Sequence, residues 1–116
     1  MNPRELVSAA LRGDDLATRQ VVKDAKRHAY SWSQAPAPDF ADKTDRAVYA
    51  SLVELLAERG GETAPAWTRN VGAAPEPVFL MCGTSAVMRR ACEANSPAPL
   101  KLRNVMALPD YLDVLG

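Results

Sequence analysis

One stretch of the chain, residues 43–59, constrains the fold more than any other. Its apolar side chains cover a wide arc of the helical wheel, at Val48, Tyr49, Leu52, Val53, Leu55 and Leu56. The other face is only a narrow polar stripe, made of Ala47, Ser51, Glu54 and Glu58. Gly60-Gly61 ends the pattern, as glycine commonly does after a helix. Because so wide an apolar arc needs neighbours on two sides, residues 43–59 are predicted to form the central helix.

Three further helices are predicted from helical spacing and from the residues that precede them. They are expected over residues 3–12, 15–30 and 84–94, capped by Asn2, Asp14 and either Thr84 or Ser85. In the last of them the residues expected to face inward are Val87, Met88, Ala91 and Cys92. With residues 43–59, these helices predict an all-α fold, a small single-domain helical bundle spanning residues 1–116.

Prolines interrupt the chain outside these helices. Residues 31–42 are predicted to be a proline-containing connection, and residues 95–116 an irregular C-terminal tail within a proline-rich second half. Periodicity alone does not assign the apolar run at residues 78–82. Because the sequence offers no evident partner strand, this run is predicted to be a buried extended segment or the start of a helix.

Composition narrows the class of protein. The chain has 116 residues, and its 14 lysines and arginines balance its 14 aspartates and glutamates, which excludes a histone-like or cationic peptide. No apolar run is long enough to span a bilayer, and the first residues lack the basic start of a secretory leader. Two cysteines and one histidine are too few for a disulfide framework or a standard zinc site. A cytoplasmic protein with no membrane association is predicted.

No arrangement typical of catalysis stands out. Cys82 lies in an apolar run, where burial makes a thiol inert, and the only imidazole, His28, lies beside Lys26 and Arg27. The glycines do not have the spacing of a phosphate-binding loop. The sequence therefore predicts a protein that is not an enzyme and has no cofactor and no metal. An enzyme that uses Cys82 with His28 is the alternative.

Two segments carry a local excess of positive charge. One is the predicted helix 15–30, and the other, residues 84–108, includes Arg89, Arg90 and Arg103. Such segments are either solvated helix faces or contacts for phosphate or for an acidic protein surface. No two predicted helices are joined by the three- or four-residue glycine-containing turn of a helix-turn-helix motif, so nucleic-acid binding is expected to be weak at most.

Four aromatic residues lie in connections or near the tail rather than on the main helices, namely Trp32, Phe40, Trp67 and Tyr111. Aromatic rings in irregular segments either pin those segments to the core or act as anchors at a partner surface. Both interpretations stay open. In the first, Trp67 and Tyr111 fasten the second half of the chain to the helix at 43–59.

Short motifs along nearly the whole chain carry a resemblance to a known group of proteins. They are NPRELV at residues 2–7, ALRGD at 10–14, APAWT at 64–68, VG at 71–72, EP at 76–77, PLKLRN at 99–104 and LPDYL at 108–112. In these motifs the chain resembles small bacterial proteins that are encoded beside nucleotidyltransferase-type toxins and are regarded as antitoxins. The resemblance implies a non-catalytic protein that binds and inhibits a cognate toxin, and it transfers no catalytic residues.

The residues themselves suggest where such a partner would bind. An aromatic ring beside an arginine can fill a pocket and pair with carboxylates, a combination that dominates interface energetics. The residues predicted on this basis are Trp67, Arg69, Arg103, Asn104 and Tyr111, with Arg89 and Arg90 as a second patch. Two alternative functions stay open, namely a DNA-binding regulator of its own operon and a protein-binding adaptor of another kind.

Overall fold

Helices dominate the fold. The computed structural model describes residues 1–82 and 85–113. In chain order its helices are α1 (Pro3–Leu11), α2 (Asp15–Arg27), α3 (Lys43–Arg59), α4 (Ala86–Asn95) and α5 (Ala98–Lys101). Two short strands, β1 (Val78–Phe79) and β2 (Val105–Met106), form a parallel pair. The prediction of a mainly helical domain is confirmed, and the small sheet is an addition to it.

The predicted helix boundaries agree with the structure to within a few residues. The central helix, α3, begins and ends at the predicted residues 43 and 59, whereas α2 ends at Arg27 rather than at residue 30. It ends early because Ala29 takes a left-handed conformation, with φ of 53°, which a helix cannot continue through. Ser85 caps α4, which runs to Asn95, and the other candidate cap, Thr84, lies outside the described residues.

A tight turn joins the first two helices. α1 ends at Leu11, α2 begins at Asp15, and Gly13 between them has φ of 69°, a left-handed conformation that suits glycine. The Asp14 carboxylate caps α2 by accepting a hydrogen bond from the backbone N–H of Ala17 at 3.0 Å. The interpretation that no two helices are joined by a short glycine-containing turn is therefore wrong for α1 and α2.

Helix α3 is the centre of the molecule. From Ala47 to Ala57 every residue except Glu54 is buried, and α1, α5 and two short 3-10 turns pack around it. The predicted polar stripe is therefore not a solvent face, because Ala47 and Ser51 are also fully buried. The small side chains at these positions allow neighbouring segments to approach the helix closely. The sequence predicts neighbours on two sides of this helix, and the structure encloses it more completely than that.

The connection at residues 31–42 wraps along α3 and is fastened at both ends. Its 3-10 turn, Trp32–Gln34, buries the Trp32 ring, and near its other end Phe40 packs edge-on against Tyr49, with ring centroids 5.7 Å apart. At the first end the Glu62 carboxylate accepts hydrogen bonds from the hydroxyls of Ser31 and Ser33 and from the backbone N–H of Trp32. These bonds hold the pKa of Glu62 below its ordinary value, the Ser31 bond most strongly.

This carboxylate makes the stability of the fold sensitive to acid. Because its pKa is lower in the folded than in the unfolded chain, its stabilising effect is complete above the unfolded value of about 4.3 and is lost as the pH falls through the folded value. We expect Glu62→Gln to be less stable than the wild type at pH 7, and the difference to shrink between pH 5 and pH 3. Urea unfolding across this range measures it.

The matched control is Glu58→Gln, because Glu58 is exposed and its carboxylate has no hydrogen bond or ion pair among the described residues. This variant should follow the wild-type pH profile. Identical profiles for Glu62→Gln and the wild type would show that the three hydrogen bonds to Glu62 do not stabilise the folded state.

The second half of the chain is more ordered than the sequence suggests. β1 and β2 pair in register, with Val78 opposite Val105 and Phe79 opposite Met106. The predicted irregular tail at 95–116 thus contains both α5 and the partner strand of the apolar run, whereas residues 114–116 lie outside the described part. The run is extended over β1, Val78–Phe79, as one of the two interpretations held, whereas Met81 has φ of 55° and is exposed. The alternative of a helix start is wrong.

None of the helices within residues 1–82 and 85–113 has both the length and the apolar composition that a membrane-spanning helix needs.

Candidate functional site

The predicted binding residue Arg103 lies inside the fold. Only 4% of it is exposed, and its guanidinium pairs with the Glu54 carboxylate of α3. It also donates hydrogen bonds to the backbone carbonyls of Thr68 (2.6 Å), Val71 (3.2 Å) and Pro99 (3.3 Å). Arg103 therefore joins α3, the 3-10 turn at 66–70 and α5, and it is not available to a partner. Because it is buried and paired, Arg103 is removed from the predicted partner-binding surface.

Trp67 and Tyr111 also pack inward. The Trp67 ring stacks on Tyr49 of α3 with centroids 5.3 Å apart, and its indole N–H donates a hydrogen bond to the Ala35 carbonyl at 2.9 Å. Tyr111 is 5% exposed, and its backbone carbonyl accepts a hydrogen bond from Arg59. Burial raises the pKa of the Tyr111 phenol. The Trp67 contacts match the interpretation in which this aromatic fastens the second half of the chain to α3. For Tyr111 the bond to α3 is made by the backbone carbonyl rather than by the ring.

Asn104 and Arg69 complete the predicted surface. The Asn104 amide donates a hydrogen bond to the Ala74 carbonyl at 3.2 Å, and its own carbonyl accepts one from Val78 N–H, so the residue ties the chain around β1 to β2. Arg69 is exposed and lines an open groove of about 530 Å³ together with Glu58 and Leu102. The structure therefore does not gather the predicted residues into one exposed surface.

The second predicted patch, on α4, is exposed. Both Arg89 and Arg90 lie at the surface, and the neighbouring apolar side chains Val87 and Met88 are 67% and 39% exposed. The prediction that Val87 and Met88 face the core is wrong. We call the exposed side chains of these four residues, 87–90, the α4 surface.

The charges of the α4 surface are not neutralised within the fold. The Arg89 guanidinium lies 4.7 Å from the centroid of the Phe79 ring, and Arg90 donates a hydrogen bond to the Ala86 carbonyl at 3.4 Å. No carboxylate pairs with either guanidinium in residues 1–82 and 85–113. Two cations beside exposed Val and Met side chains make a surface that can pack against apolar groups and pair with carboxylates.

A disulfide attaches α4 to the rest of the domain. Cys92 of α4 is bonded to Cys82, which follows β1, and the two Cα atoms are 6.5 Å apart. Cys82 is buried, as predicted, but it is part of a disulfide and not a free thiol. Cys92 is buried as well. Sequence spacing could not reveal this pairing, because the two residues meet only when α4 folds back towards the strands.

The alternative of a catalytic Cys82 with His28 finds no support in the geometry. Cys82 is bonded to Cys92, and the His28 ring, at the exposed end of α2, has its Nδ1 atom 2.8 Å from the Asp24 carbonyl oxygen of the same helix. Within the described ranges no group of three or more His, Cys, Asp or Glu side chains is arranged to hold a metal ion. The α4 surface is therefore the best candidate site, and its side chains suit binding rather than catalysis.

Comparison with known proteins adds no assignment. No family model, curated protein or solved structure is significantly similar to the chain.

Proposed function

We propose that this chain is a non-catalytic antitoxin that binds its cognate nucleotidyltransferase-type toxin through the α4 surface and inhibits it. The resemblance supplies the identity of the partner and its bacterial setting, whereas the cytoplasmic setting is the expectation drawn from composition. The exposure of Arg89 and Arg90 favours the second predicted patch over the first, because Trp67, Arg103 and Tyr111 are engaged within the fold.

One observation carries the proposal, namely the exposure of apolar and cationic side chains together on α4. Val87 is 67% exposed, and neither Arg89 nor Arg90 has a carboxylate partner in the described part of the chain. Arginine is enriched in interfaces because its planar guanidinium forms paired hydrogen bonds to carboxylates. The partner surface that fits is acidic with an apolar centre.

The proposal predicts that charge reversal on α4 weakens the complex. We expect the product of the adjacent gene to copurify with the wild-type chain and to be less toxic when both are expressed. In Arg89→Glu/Arg90→Glu, the dissociation constant should rise by about tenfold or more, because two attractive charge pairs become repulsive. Titration calorimetry measures the affinity, and circular dichroism checks that the variant is folded.

The matched control is Lys23→Glu/Lys43→Glu, which changes the net charge by the same amount at exposed positions of α2 and α3. It should bind like the wild type. If this control loses binding while the α4 variant keeps it, the proposed surface is wrong. If the adjacent product does not copurify, or is not a nucleotidyltransferase, the antitoxin function is rejected and a protein-binding adaptor is the remaining interpretation.

The turn between α1 and α2 favours a second candidate, a DNA-binding regulator of its own operon. A three-residue turn with Gly13 is the kind of connection that helix-turn-helix motifs use, and Lys23 is exposed on α2. Recognition helices contact DNA with their N-terminal residues, however, and α2 begins with Asp14 and Asp15, which repel phosphate. Binding to upstream DNA that weakens steeply with salt would favour this candidate over the antitoxin.

A further inference from the structure

We infer that the Cys82–Cys92 disulfide is a redox-controlled latch that fixes α4 and thereby sets the affinity of the α4 surface for its partner. The effect on the partner rests on the proposed function, whereas the effect on α4 itself does not. The latch is formed by two cysteines ten positions apart, one after β1 and one on the helix that carries the surface.

Apart from the disulfide at Cys92, in its last turns, α4 has few contacts with the other described elements. Cys92 is the one buried side chain among residues 86–95, and the side-chain hydrogen bonds of Arg90 and Asn95 return to carbonyls of the same helix. The Arg89 guanidinium also lies over the Phe79 ring of β1, 4.7 Å from its centroid. A short helix with so little buried apolar surface is marginal by itself, so a covalent link to β1 has a large effect on it.

The far end of α4 is anchored independently of the disulfide. The Ser96 hydroxyl, one residue after the helix, lies 3.1 Å from the Ala107 carbonyl oxygen and accepts a hydrogen bond from Ala107 N–H at 3.0 Å. Breaking the disulfide therefore does not detach the helix. It leaves α4 held at its C-terminal end and free to open from its N-terminal end, where the α4 surface lies.

The site can also accommodate the reduced state. The Cys82 sulfur lies 3.4 Å from the Leu80 carbonyl oxygen and 3.5 Å from that of Met106, so a thiol at this position has acceptors for its S–H group. Buried cysteine thiols behave as small apolar side chains, which suits Cys92. Neither oxidation state leaves a strongly polar group unsatisfied at this pair.

The reaction is ordinary thiol–disulfide exchange with a cellular thiol such as glutathione. A thiolate attacks one sulfur of the disulfide, the bond between Cys82 and Cys92 breaks, and the departing sulfur takes a proton. A second thiolate then resolves the mixed disulfide, so the protein gains two electrons and two protons and the two thiols leave as their disulfide. In a reducing compartment a disulfide of this kind is usually transient and regulatory, which fits the predicted cytoplasmic setting.

The oxidised state is the one expected to bind tightly. Closing a loop of this length with a disulfide shifts the opening equilibrium of the enclosed segment by roughly 100-fold in the chain-entropy estimate. A helix already held in its binding conformation loses less conformational entropy when the partner docks. Reduction should therefore weaken partner binding without unfolding the core around α3.

Hydrogen exchange with the full chain tests the latch without any partner. In the phosphine-reduced protein the amides of residues 86–95 should exchange at least tenfold faster than in the oxidised protein, and those of α3 should not change. Cys82→Ser/Cys92→Ser should exchange like the reduced wild type under both conditions. Equal exchange of α4 in the oxidised and reduced wild type would overturn the latch, and this comparison needs no variant to fold.

Two further measurements complete the test. In glutathione buffers of graded composition, maleimide labelling of free thiols should show the pair changing from oxidised to reduced within the range tested. A pair that stays in one state throughout is no switch. The adjacent gene product should bind the oxidised chain at least tenfold more tightly than the reduced chain. Equal binding by the two states would show that the disulfide does not control the affinity for the partner. No binding in either state would reject the proposed function, and hydrogen exchange would then be the test of whether the disulfide fixes α4.

Discussion

Replacing Arg103 with methionine will lower the free energy of unfolding by about 4 kcal/mol. The guanidinium is buried, pairs with Glu54 and donates hydrogen bonds to three backbone carbonyls. Methionine fills much of the volume but offers no donor, so a largely buried carboxylate is left without its counter-charge. Urea unfolding followed by circular dichroism measures the loss.

Two controls separate the charge from the packing. Arg103→Lys keeps the positive charge but cannot reach all four acceptors, so it should lose part of the stability. Arg103→Met/Glu54→Leu removes both charges and should recover part of what Arg103→Met loses. A loss below about 1 kcal/mol in Arg103→Met would mean that the buried pair stabilises the fold no more than an exposed ion pair does. The assignment of Arg103 to the fold rather than to a partner surface would then have to be reconsidered.

Replacing Tyr49 with alanine should cost about 4 kcal/mol, an effect of similar size. The side chain is fully buried in α3, stacks on Trp67 with an angle of 11° between the rings, and contacts Phe40 edge-on. Its hydroxyl donates a hydrogen bond to the Pro36 carbonyl at 2.8 Å. Alanine leaves a cavity where two connections meet the central helix, so both should loosen. Thermal and urea unfolding measure the loss.

Two tyrosine-to-phenylalanine variants provide a matched comparison. Tyr49→Phe removes only the hydroxyl and its hydrogen bond, so it should cost about 1 kcal/mol. Tyr111→Phe should cost nothing or raise stability, because the buried Tyr111 hydroxyl has no hydrogen-bond partner in residues 1–82 and 85–113. A larger loss in Tyr111→Phe than in Tyr49→Phe would contradict these two hydrogen-bond assignments.

The helices were predictable because their signals are local. Asn2 and Asp14 cap α1 and α2 as expected, and the apolar arc of residues 43–59 marks the helix that the structure places at the centre. The same arc could not show that Ala47 and Ser51 are buried. Small residues look neutral in a pattern of hydrophobicity, and their burial depends on which segments come close to them.

The candidate site was less predictable because its residues are defined by distant partners. From the sequence alone Arg103 is expected at the surface, because its partner Glu54 lies 49 positions earlier in the chain. The Cys82–Cys92 pair and the pairing of Val78 with Val105 depend on how the chain between them folds back. Exposure of Val87 follows from the same cause, since no segment within residues 1–82 and 85–113 covers that side of α4.

The enclosure of α3 has a consequence for the synthesis of the protein. Val105, Ala107, Tyr111 and Leu112 are buried in the same core as Leu6 and Val7, and Arg103 supplies the partner of Glu54. A nascent chain that has exposed only its first hundred residues therefore presents an uncovered central helix with an unpaired carboxylate. Native packing of α3 must wait until residues 103–112 have left the ribosome, and during that interval the chain depends on protection from chaperones.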